Sequence, residues 1–310
     1  MILEQNTEKD IKHKKEAVLI VNTHSRKGRD LFFRAVDLLE ERGITLTATF
    51  PVHDPVRLPQ VVQDSIERGA KFVIVGGGDG TVSSVVDYFA YRDAVLGLLP
   101  LGTGNSFVRT LGIPVSLEGA VDVISNGKIV NVDLGLAGDD YFANVSSIGL
   151  STVVARNISR QLKRRFGRIA YGIAGATVLI SFEPFSCHFI SREKDITLKT
   201  RQIIIANGRF HGGAMVAPGA NVNSRELVVF TMGGFSRWQL FKIWVAYQFG
   251  KHTALPESNY FTTNDVTIEI EPAQYVDVDG EVTTKTPVRF TVAEEALKVM
   301  APLDFEELQG

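Results

Sequence analysis

The chain has 310 residues, 45% hydrophobic and 22% charged, enough apolar material for the cores of about two domains and too much for a disordered polymer. Thirty-three Lys and Arg against 35 Asp and Glu give a formal net charge of −2 at pH 7, so no global field draws polyanions, and affinity for nucleic acid or anionic lipid has to come from a local patch. The single cysteine, Cys187, excludes an internal disulfide and a multi-thiol zinc site, which points to a reducing compartment.

The stretch Met1–Glu16 is polar where a secretory signal needs an apolar run, and no uninterrupted apolar segment approaches the roughly 20 residues that span a bilayer. The expectation is a cytoplasmic protein with at most peripheral membrane contact. From there an apolar run at Ala17–Val21, helical spacing over Leu31–Glu41 and a strand-like Leu46–Phe50 set up a βαβ rhythm. It continues through a helical pattern at Leu58–Gly69, a strand at Phe72–Val75, a helix at Val82–Ala90 and a strand at Val95–Leu99. Such alternation predicts a mostly parallel α/β sheet. Beyond about Asn126 the pattern turns to strands at Ile129–Leu136, Tyr141–Val145, Cys187–Ser191, Ile203–Ala206, Leu227–Thr231, Asp265–Ile270, Tyr275–Val278 and Val288–Val292. Two helical segments interrupt them, at about Ser151–Leu179 and Arg237–Phe249. The predicted organisation is a polar extension at 1–16, an α/β domain at 17–128 and a β-rich domain at 129–293.

The run Gly76-Gly77-Gly78-Asp79-Gly80-Thr81 follows a strand and precedes a helix, where backbone N–H groups can hold a phosphate. Neither a Walker loop nor a GxGxxG fingerprint is present. Three glycines also suit a tight βα turn that binds nothing, but Asp79 beside a phosphate is unfavourable unless a metal or a cation offsets the repulsion. Asp79 is therefore the candidate metal ligand. A second loop, Pro100-Leu101-Gly102-Thr103-Gly104-Asn105-Ser106, follows the next strand, and in an open α/β sheet ligands sit at the carboxyl ends of the strands. A third, Asn22-Thr23-His24-Ser25-Arg26-Lys27-Gly28, closes the first strand and reads equally well as an ordinary polar loop.

Together these motifs resemble the catalytic domain shared by diacylglycerol kinases, sphingosine kinases and bacterial lipid kinases. Asn144–Leu150, Asn207–Pro218 and Asp279-Gly280-Glu281 extend the resemblance over about residues 17–302. It implies an α/β nucleotide domain, a β-rich, sandwich-like second domain, a cleft between them, and a final segment at about 294–306 that returns to the first domain. It also implies ATP and Mg²⁺ as cofactors and a lipid alcohol as substrate, such as diacylglycerol or a sphingoid base. Carried over position by position, Asn22, Ser25, Gly28, Gly77, Gly78, Asp79, Gly80, Thr81, Gly102, Thr103 and Asn105 are the nucleotide-binding residues. Asp79 and Glu281 are the catalytic ones, Glu281 as the base that takes the proton of the lipid hydroxyl. Read without the resemblance, Asp279-Gly280 is a hairpin turn. A non-catalytic nucleotide- or lipid-binding protein and a soluble-substrate kinase such as an NAD kinase are the alternatives.

The chain departs from the family at Ser83, at Ser106 where Asp is common, and at Asn223-Ser224-Arg225-Glu226-Leu227 where bacterial diacylglycerol kinases carry Asp-Gly-x-Leu. Arg225 puts a cation near the second-domain metal of those enzymes, so no equivalent Mg²⁺ is expected there. Arg156, Arg160, Lys163 and Arg164 lie in a stretch free of Asp and Glu and suit anionic phospholipid head groups, or simply form a solvated face. The stripe around Trp238, Phe241, Trp244 and Phe249 reads as core or as an interfacial anchor. No nucleic-acid-binding motif is present.

Overall fold

The structure, a computed structural model of the chain, describes residues 16–24, 26–149, 183–233, 239 and 258–306. The predicted helices at 151–179 and 237–249, and with them the basic stretch and the tryptophan stripe, lie outside the described residues apart from Gln239.

The first half runs β1 (Glu16–Asn22), α1 (Arg26–Glu41), β2 (Thr45–Val52), α2 (Leu58–Glu67), β3 (Phe72–Gly77), α3 (Asp79–Ser83), α4 (Val86–Phe89), β4 (Val95–Pro100), α5 (Ser106–Thr110) and α6 (Leu117–Asn126). Strands β2, β1, β3 and β4 lie side by side in parallel. Every residue of β3 and β4 is buried, as in a sheet covered on both faces.

The second half runs β5 (Lys128–Ala137), β6 (Asp140–Phe142), β7 (Val145–Gly149), β8 (Phe185–Ile190), β9 (Asp195–Thr200), β10 (Gln202–Ala206), β11 (Phe210–His211), β12 (Ala214–Met215), β13 (Leu227–Met232), β14 (Ser258–Thr263), β15 (Asp265–Ile270), β16 (Tyr275–Val278), β17 (Glu281–Lys285) and β18 (Val288–Ala301). Six of these strands form an antiparallel sheet in the order β14-β13-β10-β7-β16-β17. Alternation along β10 shows how it is covered: Ile203 and Ile205 face a core shared with Phe189 of β8, Ile268 of β15 and Phe290 of β18, while Ile204 and Ala206 face Val216 and Ala217 on the other side. The chain thus has two domains, an α/β domain with a mostly parallel sheet and a β-sandwich-like domain.

Strand β18 ties them together. Its start pairs with β15, its length pairs with β5, and Val299 sits beside Leu96 of β4, so one ten-stranded sheet runs from the first domain into the second. The register breaks between Ala293 and Leu297, where Glu295 adopts φ 51°. Asp133 of β5 fills that break. It is 2% exposed; one carboxylate oxygen accepts the N–H of Glu295 and the other that of Arg225, each at 2.8 Å, and Arg225 too has a left-handed φ, of 56°. Burial lifts the Asp133 carboxyl above its usual range and these two N–H bonds pull it back.

Three predicted elements are corrected. The helix at Val82–Ala90 is two short helices, because the Ser84 hydroxyl turns back on the Thr81 carbonyl and the chain bends at Val85. The strand at Tyr141–Val145 splits into β6 and β7, because the intervening N–H groups of Ala143 and Asn144 turn to a carboxylate. The strand at Val288–Val292 continues to Ala301 through the break that Asp133 fills.

Replacing Asp133 with Asn sets an amide N–H₂ against one of two backbone donors. Urea unfolding should show a loss of about 1–3 kcal/mol, whereas Arg225→Met, which removes only exposed pairs with Glu294 and Glu295, should cost no more than about 1 kcal/mol.

Candidate functional site

Three parallel strands end together: β1 at Asn22, β3 at Gly77 and β4 at Pro100. The Asn22 side-chain amide donates to Thr81 Oγ1 at 3.0 Å, bracing the glycine loop against the first strand. Within that loop the N–H groups of Thr81 and Val82 both return to the Gly78 carbonyl, at 2.9 and 3.1 Å. A first helical turn offers no acceptor to the donors before them, so those of Asp79 and Gly80 face whatever enters the turn. α3 has only five residues, so anion affinity here comes from the individual N–H groups rather than from a long helix dipole.

Glycine is required where the two loops meet. A Cβ on Gly102 would stand 2.4 Å from the Cα of Gly78, and one on Gly77 would stand 2.4 Å from the Thr81 side chain. The second loop is closed by Asn105, whose amide both accepts from the Gly102 N–H and donates to the Gly102 carbonyl, each at 3.0 Å, from a left-handed φ of 51°. Arg109 adds a bond to the Gly104 carbonyl at 2.9 Å. Thr103 is exposed at the tip.

Asp79 lies in the seam. Its Oδ1 accepts the Ser106 N–H, and its Oδ2 packs so closely on Gly104 that a Cβ there would be 2.2 Å away. Among the described residues nothing donates to Oδ2, and no three His, Cys, Asp or Glu side chains converge on one point. A site with one free carboxylate oxygen beside open N–H groups fits Mg²⁺, which commonly takes one or two carboxylates and completes its octahedron with phosphate oxygens and water.

The second domain reaches the same seam through the β11–β12 hairpin. Its tip, Gly212-Gly213, has φ of 56° and 80° and rests on Gly104, where an added Cβ would be 3.1 Å from the backbone of both tip residues. The Gly213 N–H donates to Ser106 Oγ at 3.2 Å. Beside the tip, His211 is close enough for its charge to act on Asp279. Asp279 is a left-handed residue, φ 48°, whose carboxylate accepts the N–H groups of Ala143 at 2.7 Å, Val145 at 2.9 Å and Asn144 at 3.1 Å. Its own N–H returns to the Val145 carbonyl at 3.0 Å. Burial pushes the Asp279 carboxyl up to about 6 against the pull of those N–H groups and of His211. The turn it anchors, Asp279-Gly280, is the hairpin that delivers Glu281 to the start of β17, exposed to solvent.

The structure thus brings Asn22, Gly77, Gly78, Asp79, Gly80, Thr81, Gly102, Thr103 and Asn105 into one loop cluster. Asn22 and Asn105 act on the loops themselves, each bonded to a loop residue. Gly28 is buried in the first turn of α1, and Ser25 lies outside the described residues. Where the metal-bearing motif stands in bacterial diacylglycerol kinases, the Arg225 guanidinium bonds Glu295 at 2.8 Å and stands 3.7 Å from Glu294. Both Asp133 oxygens are already taken by N–H groups. Those residues do not fit a divalent cation.

Sequence reasoning held the Gly212-Gly213 tip within the Asn207–Pro218 motif without giving it a role, although a Gly-Gly pair between short strands is a usable hairpin signal, and it missed two further residues. Asp133 had a weaker signal, a lone carboxylate in an apolar strand. Asp87 had none: on the short helix α4, its carboxyl is pushed up to about 6, first by burial and then by the charges of Asp140 and Asp279.

A carboxyl held near 6 in the folded chain and near 3.8 in the unfolded one binds its proton more tightly when folded, so stability falls as the pH rises from about 4 through 6. Asp87→Asn removes that loss. Its Tm should exceed that of the parent by roughly 1–3 °C at pH 7.5, a modest figure because the carboxylate is partly open to water, and the difference should vanish towards pH 4.

Comparison with known proteins agrees with this geometry. Residues 16–137 match the diacylglycerol kinase catalytic domain, and residues 144–301 match the YegS C-terminal NAD kinase beta sandwich-like domain. The "Probable lipid kinase YegS-like" protein of Enterobacter sp. (strain 638) is 31% identical over 71% of this chain and 75% of its own. A diacylglycerol kinase of Mycobacterium tuberculosis is 27% identical over 86% of this chain and 88% of its own. The crystal structure of a diacylglycerol kinase from Bacillus anthracis str. Sterne superposes with a TM-score of 0.76 at 21% identity, covering 93% of this chain and 97% of that one, which establishes the shared fold. The loops, the two domains and these matches together make the chain a member of the diacylglycerol kinase catalytic-domain family, in the lipid-kinase group that carries a YegS-type second domain.

Proposed function

We propose that the chain transfers the γ-phosphoryl group of ATP to a hydroxyl of a lipid alcohol such as diacylglycerol or a sphingoid base. The observation that carries this reading is the seam at Asp79. There the phosphate-type loop of the first domain and the glycine tip of the second meet in backbone contact, which sets the proposed nucleotide and acceptor sides of one reaction next to each other. The names of the relatives from Enterobacter and Mycobacterium tuberculosis point the same way.

When bound, ATP supplies the phosphoryl group, and Mg²⁺ offsets charge on its phosphates. The chain's own part is positioning and proton handling. N–H groups of Asp79 and Gly80 hold phosphate oxygens, and Asp79 Oδ2 is the carboxylate oxygen free to hold the metal. Glu281, at the turn end of the β16–β17 hairpin, accepts the proton of the lipid hydroxyl as that oxygen attacks phosphorus. Asp279 acts on Glu281 by fixing the turn before it, with three N–H bonds that no change of side-chain rotamer can supply elsewhere. Arg156, Arg160, Lys163 and Arg164 are assigned to anionic phospholipid at the surface where the substrate resides. Among the described residues no helix is long and apolar enough to cross a membrane.

Purified protein with labelled ATP, Mg²⁺ and a panel of lipid alcohols in mixed micelles, with NAD as a soluble control, tests the reading. Label should enter one lipid class, and Glu281→Gln should retain nucleotide affinity while turnover falls by about 10²-fold or more. Label in NAD, or ATP binding with no lipid product, would overturn it. Near-normal turnover of the variant would remove Glu281 from its role.

A further inference from the structure

Ser106 bonds to both sides of the seam. Its backbone N–H donates to Asp79 Oδ1 in the phosphate-type loop, and its hydroxyl oxygen accepts the N–H of Gly213 at the tip of the second-domain hairpin, at 3.2 Å. The residue is 2% exposed, so water has little room to replace the hydroxyl. Around it the contact is backbone on backbone. A Cβ on Gly213 would lie 3.1 Å from the Cα of Gly104, and one on Gly104 would strike Asp79 Oδ2.

A half-buried amide that loses its acceptor is costly, and among the described residues the Gly213 N–H has Ser106 Oγ as its partner. Position and partner are therefore linked: where Ser106 goes, the tip follows. Ser106 is in turn fixed to Asp79, the group whose surroundings change most when a phosphate and a cation arrive. Behind the tip stands His211, and beyond it the Asp279 turn that carries Glu281.

We propose that Ser106 is a positioning residue that couples occupancy of the nucleotide loops to the β11–β12 tip, so that the acceptor side of the cleft is set in register only when the phosphate loop is filled. The proposal rests on the kinase reading above for its effect on turnover, but the coupling itself is a property of two hydrogen bonds and can be read without any lipid. Removing the hydroxyl cuts the link while leaving the Ser106 N–H, and so the Asp79 side, in place. That separates it from a residue that merely supports the nucleotide site, whose loss would weaken ATP binding and turnover together.

The test combines amide hydrogen exchange with steady-state kinetics on the full chain. In the parent, Mg·ATP should slow exchange of the Gly213 amide. In Ser106→Ala that amide should exchange roughly 3- to 10-fold faster, the range set by a lost neutral hydrogen bond, and should no longer respond to Mg·ATP. The ATP dissociation constant should stay within about twofold while kcat for the lipid falls about tenfold, and Ser106→Thr, which keeps the hydroxyl, should restore both. Gly213→Ala, which presses the same contact from the other side, gives an independent variant with the same expected loss of kcat. Unchanged Gly213 exchange in Ser106→Ala, a retained response to Mg·ATP, or parallel losses of ATP affinity and kcat would each overturn the proposal. If the parent labels no lipid, the kinase reading fails on its own, and the exchange experiment still decides the coupling.

Discussion

Backbone must touch backbone at the centre of this molecule, and side chains have to stay out of the way. Gly78 meets Gly102 at a distance that a Cβ on Gly102 would violate, and Gly104 meets Gly212-Gly213 with only 3.1 Å left for one. Everything proposed for the chain depends on that closeness. It brings the ends of β3 and β4 into one loop cluster, presses Asp79 against Gly104, and lets the backbone of a second-domain hairpin reach the backbone of the first domain. Glycine is used here for its missing Cβ, and only at Gly212 and Gly213 is its tolerance of positive φ also needed.

Around that contact, buried and half-buried carboxylates serve as acceptors for backbone N–H groups. Asp79 takes one from Ser106, Asp133 takes those of Arg225 and Glu295, and Asp279 takes three from consecutive residues of the 143–145 turn. Each carboxylate satisfies donors that irregular backbone would otherwise leave unpaired, and two of those donors, the N–H groups of Arg225 and Glu295, belong to left-handed residues. Desolvation is the counterweight, and it holds the carboxyls of Asp133 and Asp279 above their usual range. The same device therefore fastens β18 across the domain boundary and fixes the hairpin that presents Glu281.

The replacement of Asp-Gly by Ser224-Arg225 shows one position solved differently. A backbone that needs φ of 56° suits glycine, and this chain places arginine there instead. Its N–H is held by Asp133 and its guanidinium by Glu295, contacts that offset the strain of a left-handed non-glycine residue. The loop is thereby bound to β5 and β18.

Much of the fold was legible in the sequence because its signals are local. Period-2 runs such as Asp265–Ile270 and Tyr275–Val278 need only alternation to be recognised, and the βαβ rhythm of the first half needs only the switch between periods. Gly77–Thr81 and Gly102–Asn105 were legible as candidate loops, since strand, glycine and helix follow one another within a few residues. Elements that depend on a distant partner were not: the split of β6 from β7 is caused by Asp279, and the continuation of β18 by Asp133. The sequence by itself determined the two-domain order, the glycine loops and the carboxylates available to them. Only the tertiary structure decided that Asn22 and Asn105 brace those loops, that Ser106 joins them to the second domain, and that Asp87 and Asp279 share one field. Hydrogen bonds and charge interactions between residues far apart in the chain leave no periodic trace in its sequence.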